Sequence, residues 1–239
     1  MPEHQAGQDS ERPFEERVGT AASRPLQIGD EIPNFTCDSH MGMIMLHSFI
    51  DGGWGIIFTY PRNNDPVTCT ELGMLTKISE EFEQRNCKVL AIGVDSKTGH
   101  RSFIKDTQEL QDCEITFPII ADPTGEIFSL MGLVREDAID PARGLVPQTS
   151  IFIVDLDLRV RMITQYPTSV GHNFYEVIRA VDALQQATFN RVGVPANWKD
   201  GEDVLVAPSV PSADAGAMFP KGFVELRSWF RLTPQPDFD

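Results

Sequence analysis

The chain is short of positive charge, short of cysteine, and without any long apolar run, and each shortage excludes a class of function. Lys and Arg number 20 against 35 Asp and Glu, for a formal charge of −15. That balance does not suit a nucleic-acid or anionic-membrane surface, where clustered cations must neutralise phosphate. No stretch approaches the roughly 18–20 apolar residues needed to span a bilayer. The opening "MPEHQAGQDSERPFEERVGTAASRP" holds no apolar run, and its acidic residues sit badly in a transit peptide. The four cysteines, Cys37, Cys69, Cys87 and Cys113, form no C-x-x-C and no zinc-type pairing. Such usage fits free thiols in a reducing compartment. His4, His40, His47, His100 and His172 show no metal-ligand spacing, and no phosphate-cradling Gly-rich loop occurs. These absences predict a soluble, cytoplasmic protein with no cofactor, no metal, and no nucleic-acid or membrane partner.

What remains is ordinary globular material, 239 residues of which 41% are hydrophobic, enough for one substantial domain and a smaller appendage. Residues 1–25 are polar and aperiodic and are expected to form a mobile arm. Beyond them, apolar runs alternate with helical patterns. "GWGIIFTY" (53–60) and "CKVLAIGVD" (87–95) read as buried parallel strands, while "SIFIVDL" (150–156) and "RVRMITQY" (159–166) flank a hairpin turn at Asp157–Leu158. A helix is expected over 68–86, with Leu72, Leu75, Ile78 and Phe82 along one side, and another over 173–187. Shorter helices are expected over 99–111 and 124–131. This alternation predicts a three-layer α/β/α domain over 26–189. After about residue 190 the sequence turns Pro- and Gly-rich, with β-like runs at 204–207 and 227–232, and residues 190–239 are expected to form a small β-rich region.

The stretch "YPRNNDPVTCTELG" (60–73) carries the chemistry. With "IGDEIPNF", "NCKVLAIGVDS", "FPIIADPTGEI", "YPTSVGHNFYEVIRAVDALQ", "VPANWKDGEDVLV" and "FRLTPQP", it resembles the peroxiredoxins (the alkyl hydroperoxide reductase/thiol-specific antioxidant, AhpC/TSA, family) of the one-cysteine type. The resemblance covers roughly residues 26–236. It implies a thioredoxin-like fold, a C-terminal dimerisation region and a homodimer. It also implies a site in which a cysteine in the first turn of a helix attacks the peroxide, helped by a Thr or Ser hydroxyl and an Arg from a distant strand.

Three positions depart from that pattern. Pro61 and Pro66 align, and "TEL" at Thr70–Leu72 closes the motif without insertion or deletion. Asp65 therefore stands at the hydroxyl position, Thr68 at the cysteine position and Thr149 at the Arg position. Tyr60 replaces a common His, and His172 a second Arg. Gly53 stands where some members carry a lipase-like Ser, although His47 and Asp157 match its partners. Taking residues at about 100° each, Thr68 falls roughly 30° from the centre of the buried side and Cys69 roughly 130° from it. Two roles are open to Asp65, a helix cap or a general base. The pocket has lost a cation and gained an anion, which favours a neutral or cationic small-molecule ligand.

Three functions compete. The first is non-redox acid–base chemistry, of isomerase, dehydratase, cyclase or hydrolase type and possibly biosynthetic, through Tyr60, Asp65, Thr68, Thr149 and His172. The second is thiol peroxidase activity through Cys69, displaced by one residue. The third is non-catalytic ligand binding. The retention of hydrogen-bonding residues at all three changed positions favours the first.

Overall fold

The computed structural model describes residues 24–134 and 148–237, together with the backbone of 139–140 and 144–145. Most of the expected N-terminal arm and Arg143, the Arg nearest to Thr149 in sequence, lie outside the described residues. The chain divides into two compact units, 1–172 and 173–239.

The first unit is organised by strand β3. Successive side chains of a strand point to opposite faces, so an unbroken apolar run is stable only where both faces are covered. "WGIIFTY" meets that condition: all seven residues of β3 (Trp54–Tyr60) are buried. β3 pairs in parallel with β4 (Cys87–Gly93), and β4 with β5 (Ile119–Ala121). On the other flank β3 pairs antiparallel with β8 (Thr149–Val154), and β8 with β9 (Val160–Tyr166). The hairpin β1 (Thr36–Ser39) and β2 (Gly42–Met45) joins β5, completing a seven-stranded sheet in the order β2-β1-β5-β4-β3-β8-β9. The short strands β6 (Ile139–Asp140) and β7 (Gly144–Leu145) pair separately. Ile57, Leu90, Ile92, Phe128, Phe152 and Val160 belong to one buried cluster.

The β8–β9 turn falls where the sequence places it. Leu158 takes the left-handed φ of 60°, and Asp155 Oδ1 accepts the N–H groups of Asp157 and Arg159. The helix expected over 68–86 differs in two ways. It begins at Pro66 and breaks at Ile78 (φ −111°, ψ 16°), giving Pro66–Lys77 and Ser79–Gln84. The Thr76 hydroxyl donates to the Leu72 carbonyl at 2.8 Å, a back-bond that competes with the helix ladder near the break. Among the described residues of this unit, further helices span Lys97–Gln111 and Glu126–Leu130, with a short Leu46–Ile50 helix before β3.

In the second unit the helix Phe174–Phe189 is capped by Asn173, whose Oδ1 accepts the N–H groups of Tyr175 and Glu176. A four-stranded antiparallel sheet follows, in the order β10 (Val192–Gly193), β11 (Val204–Val206), β13 (Phe230–Thr233), β12 (Val224–Arg227). Trp198, buried to 1% exposure, packs with Val204, Val206, Val210 and Phe219 and donates its indole N–H to the Glu202 carbonyl. Together the units form a thioredoxin-like fold with a C-terminal β-rich region.

Candidate active site

The site is built on the turn between β3 and the helix Pro66–Lys77. Asn64 takes a left-handed φ of 57°, and Asp65 is extended. From there Asp65 Oδ1 accepts the Thr68 N–H at 2.8 Å, and its carbonyl accepts the Cys69 N–H at 3.0 Å. Pro66 occupies the first helical position, where its missing N–H costs nothing. Cap and proline together fix the helix register, so the first turn has not slipped.

In that register Thr68 is 1% exposed and Cys69 6%. Cys69 is turned from the sheet-facing side and is buried nonetheless, because the helix Lys97–Gln111 covers that side. Gln111 Nε2 donates to Cys69 Sγ at 3.9 Å. Two other thiols are held protonated at neutral pH. Burial pushes Cys37 up to about 11 and also raises Cys113.

The remaining expected site residues fall into two groups. His172 Nδ1 lies 2.8 Å from Glu71 Oε1, which also accepts the His172 backbone N–H at 2.9 Å. The imidazole stacks on Tyr166 at 4.5 Å and meets Phe58 edge-on. Thr149, 2% exposed, sits opposite Tyr166 in the β8–β9 pairing. Tyr60 belongs to a different buried cluster. Its hydroxyl donates to Asn63 Oδ1 at 3.3 Å and lies 3.1 Å from His100 Nδ1. Asp95 accepts the Asn63 N–H at 2.6 Å. Burial, with Asp95 nearby, pushes the Tyr60 hydroxyl well above its ordinary range, and burial lowers His100. A phenol in that state is no general base.

Sequence reasoning missed Glu71, Asn63, His100 and Gln111. Glu71 lies within the quoted "TEL", and the one signal available was its spacing, four and seven residues before Leu75 and Ile78 on the apolar side of the helix. Gln111 reaches the site only by tertiary contact. Among the described residues no group of His, Cys, Asp and Glu is arranged to hold a metal.

Residues 28–163 match the family model described as AhpC/TSA, and residues 183–222 match the C-terminal domain of 1-Cys peroxiredoxin. The chain is 40% identical to a 1-Cys peroxiredoxin of Dictyostelium discoideum, over 89% of this chain and 86% of that one. It is 37% identical to human Peroxiredoxin-6, over 88% and 98% respectively. Among solved structures, the yeast mitochondrial 1-Cys peroxiredoxin superposes with a TM-score of 0.81 at 33% identity, covering 87% of this chain and 99% of that one.

These matches overturn the expectation of a scaffold repurposed for non-redox, biosynthetic acid–base chemistry. The relatives that span nearly the whole chain are named peroxiredoxins, while Tyr60 is hydrogen-bonded in a separate buried cluster and Asp65 caps a helix. From the Asp65-capped turn to its C-terminal β-rich region, the chain belongs to the peroxiredoxin (AhpC/TSA) family, in its one-cysteine type.

Proposed function

We propose that the protein is a thiol-dependent peroxidase whose reacting group is Cys69. The observation that carries this reading is the placement of Cys69 in the first turn of a capped helix, its sulfur against a side-chain amide. A helix N-terminus favours the thiolate through its dipole. Cys37 and Cys113 are held protonated, which leaves them poor nucleophiles.

In the reaction the Cys69 thiolate attacks one oxygen of a hydroperoxide and the O–O bond breaks. Sulfur is oxidised to the sulfenic acid, and the peroxide is reduced to an alcohol or water, which takes its proton from solvent. An external thiol then attacks the sulfenic sulfur, expelling water and leaving a mixed disulfide. A second thiol releases the first as a disulfide and restores Cys69. The yeast relative is described as resolved through glutathione and thioredoxin systems, which fits an external thiol here.

The working unit is a homodimer formed through the C-terminal region. The match of residues 183–222 supports this, as do the exposed apolar side chains of Val224, Leu226 and Trp229. A reducing, cytoplasmic setting suits its four free thiols. Among the described residues no helix is long and apolar enough to cross a membrane.

The test is to treat the reduced protein with one equivalent of hydrogen peroxide in the presence of a sulfenic-acid-specific dione, then map the adduct by peptide mass. Adduct at Cys69 is expected. Adduct confined to another cysteine, or none under conditions that label a known sulfenic acid, would refute the reading.

A further inference from the structure

Placing the thiol at 69 rather than 68 turns it about 100° around the helix. It leaves the side on which Thr149 and His172 stand at the positions where the family resemblance expects arginines. A group that holds the Cys69 sulfur must then come from the element covering the other side, the helix Lys97–Gln111.

We propose that Gln111 is the positioning residue of the Cys69 site, its amide N–H directed at the sulfur to steady the thiolate before attack and the sulfenic oxygen after it. This inference rests on the peroxidase reading. Two independent observations carry it. The first is the contact itself, Gln111 Nε2 to Cys69 Sγ at 3.9 Å. The second is Gly73, one turn after Cys69 on the same side of the helix. A Cβ built at Gly73 would lie 2.7, 2.5 and 3.0 Å from Cβ, Cγ and Cδ of Gln111. Those distances are shorter than van der Waals contact, so Gln111 can run along this helix to the sulfur only because residue 73 has no side chain. A glycine inside a helix is unfavourable relative to alanine, and here the Gln111 side chain occupies the space it leaves. A neutral amide gives the thiolate a hydrogen bond without adding a cation to an acidic protein. Hydrogen bonds to charged acceptors are the stronger kind.

The experiment measures the rate of Cys69 alkylation by iodoacetamide at pH 7 on the full reduced chain, followed by peptide mass, for the native protein, Gln111→Leu and Gln111→Glu. Thiolate, not thiol, is alkylated. Loss of one hydrogen bond to a charged group should slow Gln111→Leu about tenfold. Gln111→Glu has the same shape but brings an anion and no N–H, so it should be the slowest of the three. A packing role predicts the reverse order, with the isosteric Glu variant close to native. Native rates in both folded variants would overturn the proposal. Should Gln111→Leu fail to fold, the Glu variant decides alone. Because alkylation needs no peroxide, slowed alkylation alongside an inert native protein would sink the peroxidase reading and leave the role of Gln111 at the thiol standing.

Discussion

Glu71→Ala tests how the helix Pro66–Lys77 is held to the rest of its unit. Glu71 is 3% exposed, and one oxygen, Oε1, accepts both the backbone N–H of His172 and a contact from its Nδ1, at 2.9 and 2.8 Å. This ties a helix that begins at Pro66 to the segment that follows β9, across 101 residues of sequence. Hydrogen bonds to a charged group contribute about 1.5–3 kcal/mol each, so the two together supply about 3–6 kcal/mol. Removing the side chain also removes the cost of burying a carboxylate, part of which is already unrecovered because Oε2 has no hydrogen-bond partner among the described residues. The net loss should be about 2–4 kcal/mol, with the stranded His172 N–H accounting for much of it. Glu71→Gln keeps a carbonyl acceptor for one of the two bonds and should lose about half as much. The assay is equilibrium urea unfolding of native, Ala and Gln proteins followed by tryptophan fluorescence. A loss under about 1 kcal/mol for the alanine variant, or a glutamine variant worse than alanine, would show that this pair does not anchor the helix.

Three further predictions are independent of that one. Burial lowers the pKa of His100 and His40, so below about pH 6.5 the unfolded chain binds more protons than the folded one. Their contribution to stability is complete above that pH and declines as pH falls through it. The urea midpoint should therefore drop between pH 7.5 and 5.5, and His100→Asn should reduce the drop; an unchanged slope would refute the assignment. With Cys37 held near 11, Cys37→Ser should leave peroxide turnover within about twofold of native, whereas an order-of-magnitude loss would put chemistry where none is expected. Trp229, 72% exposed in the C-terminal sheet, should be buried in a dimer. Trp229→Asp should lower the mass found by light scattering from dimer to monomer, and a mass unaffected by that change would move the interface elsewhere.

The elements legible in the sequence were those whose pattern is local. β3 and β4 are continuous apolar runs because parallel neighbours and covering helices bury both faces, and the β8–β9 turn carries its signal in Asp155 and Leu158. The β1–β2 hairpin escaped notice because Met41, Met43 and Met45 are apolar yet exposed, so alternation there says nothing about burial. β5, at three residues, is too short to show a period. Within the site, the sequence left Asp65 open between a cap and a general base, and its side chain proves to accept the Thr68 N–H at the helix start. The direction of Cys69 was also legible, but not what it meets. Angles around one helix locate a side chain relative to the sheet and say nothing of Gln111, which arrives from 42 residues away. The family resemblance was correct, and the inference drawn from its departures was not. Three altered positions were read as new chemistry, although the same positions have structural uses, as the Asp65 cap shows.

The central claim is tested most directly by hydrogen peroxide consumption with dithiothreitol as reductant, comparing native protein with Cys69→Ser. The account predicts turnover by the native protein and its loss, to the rate of dithiothreitol alone, in the variant. Native protein that consumes no peroxide, or a Cys69→Ser variant as active as native, would contradict it.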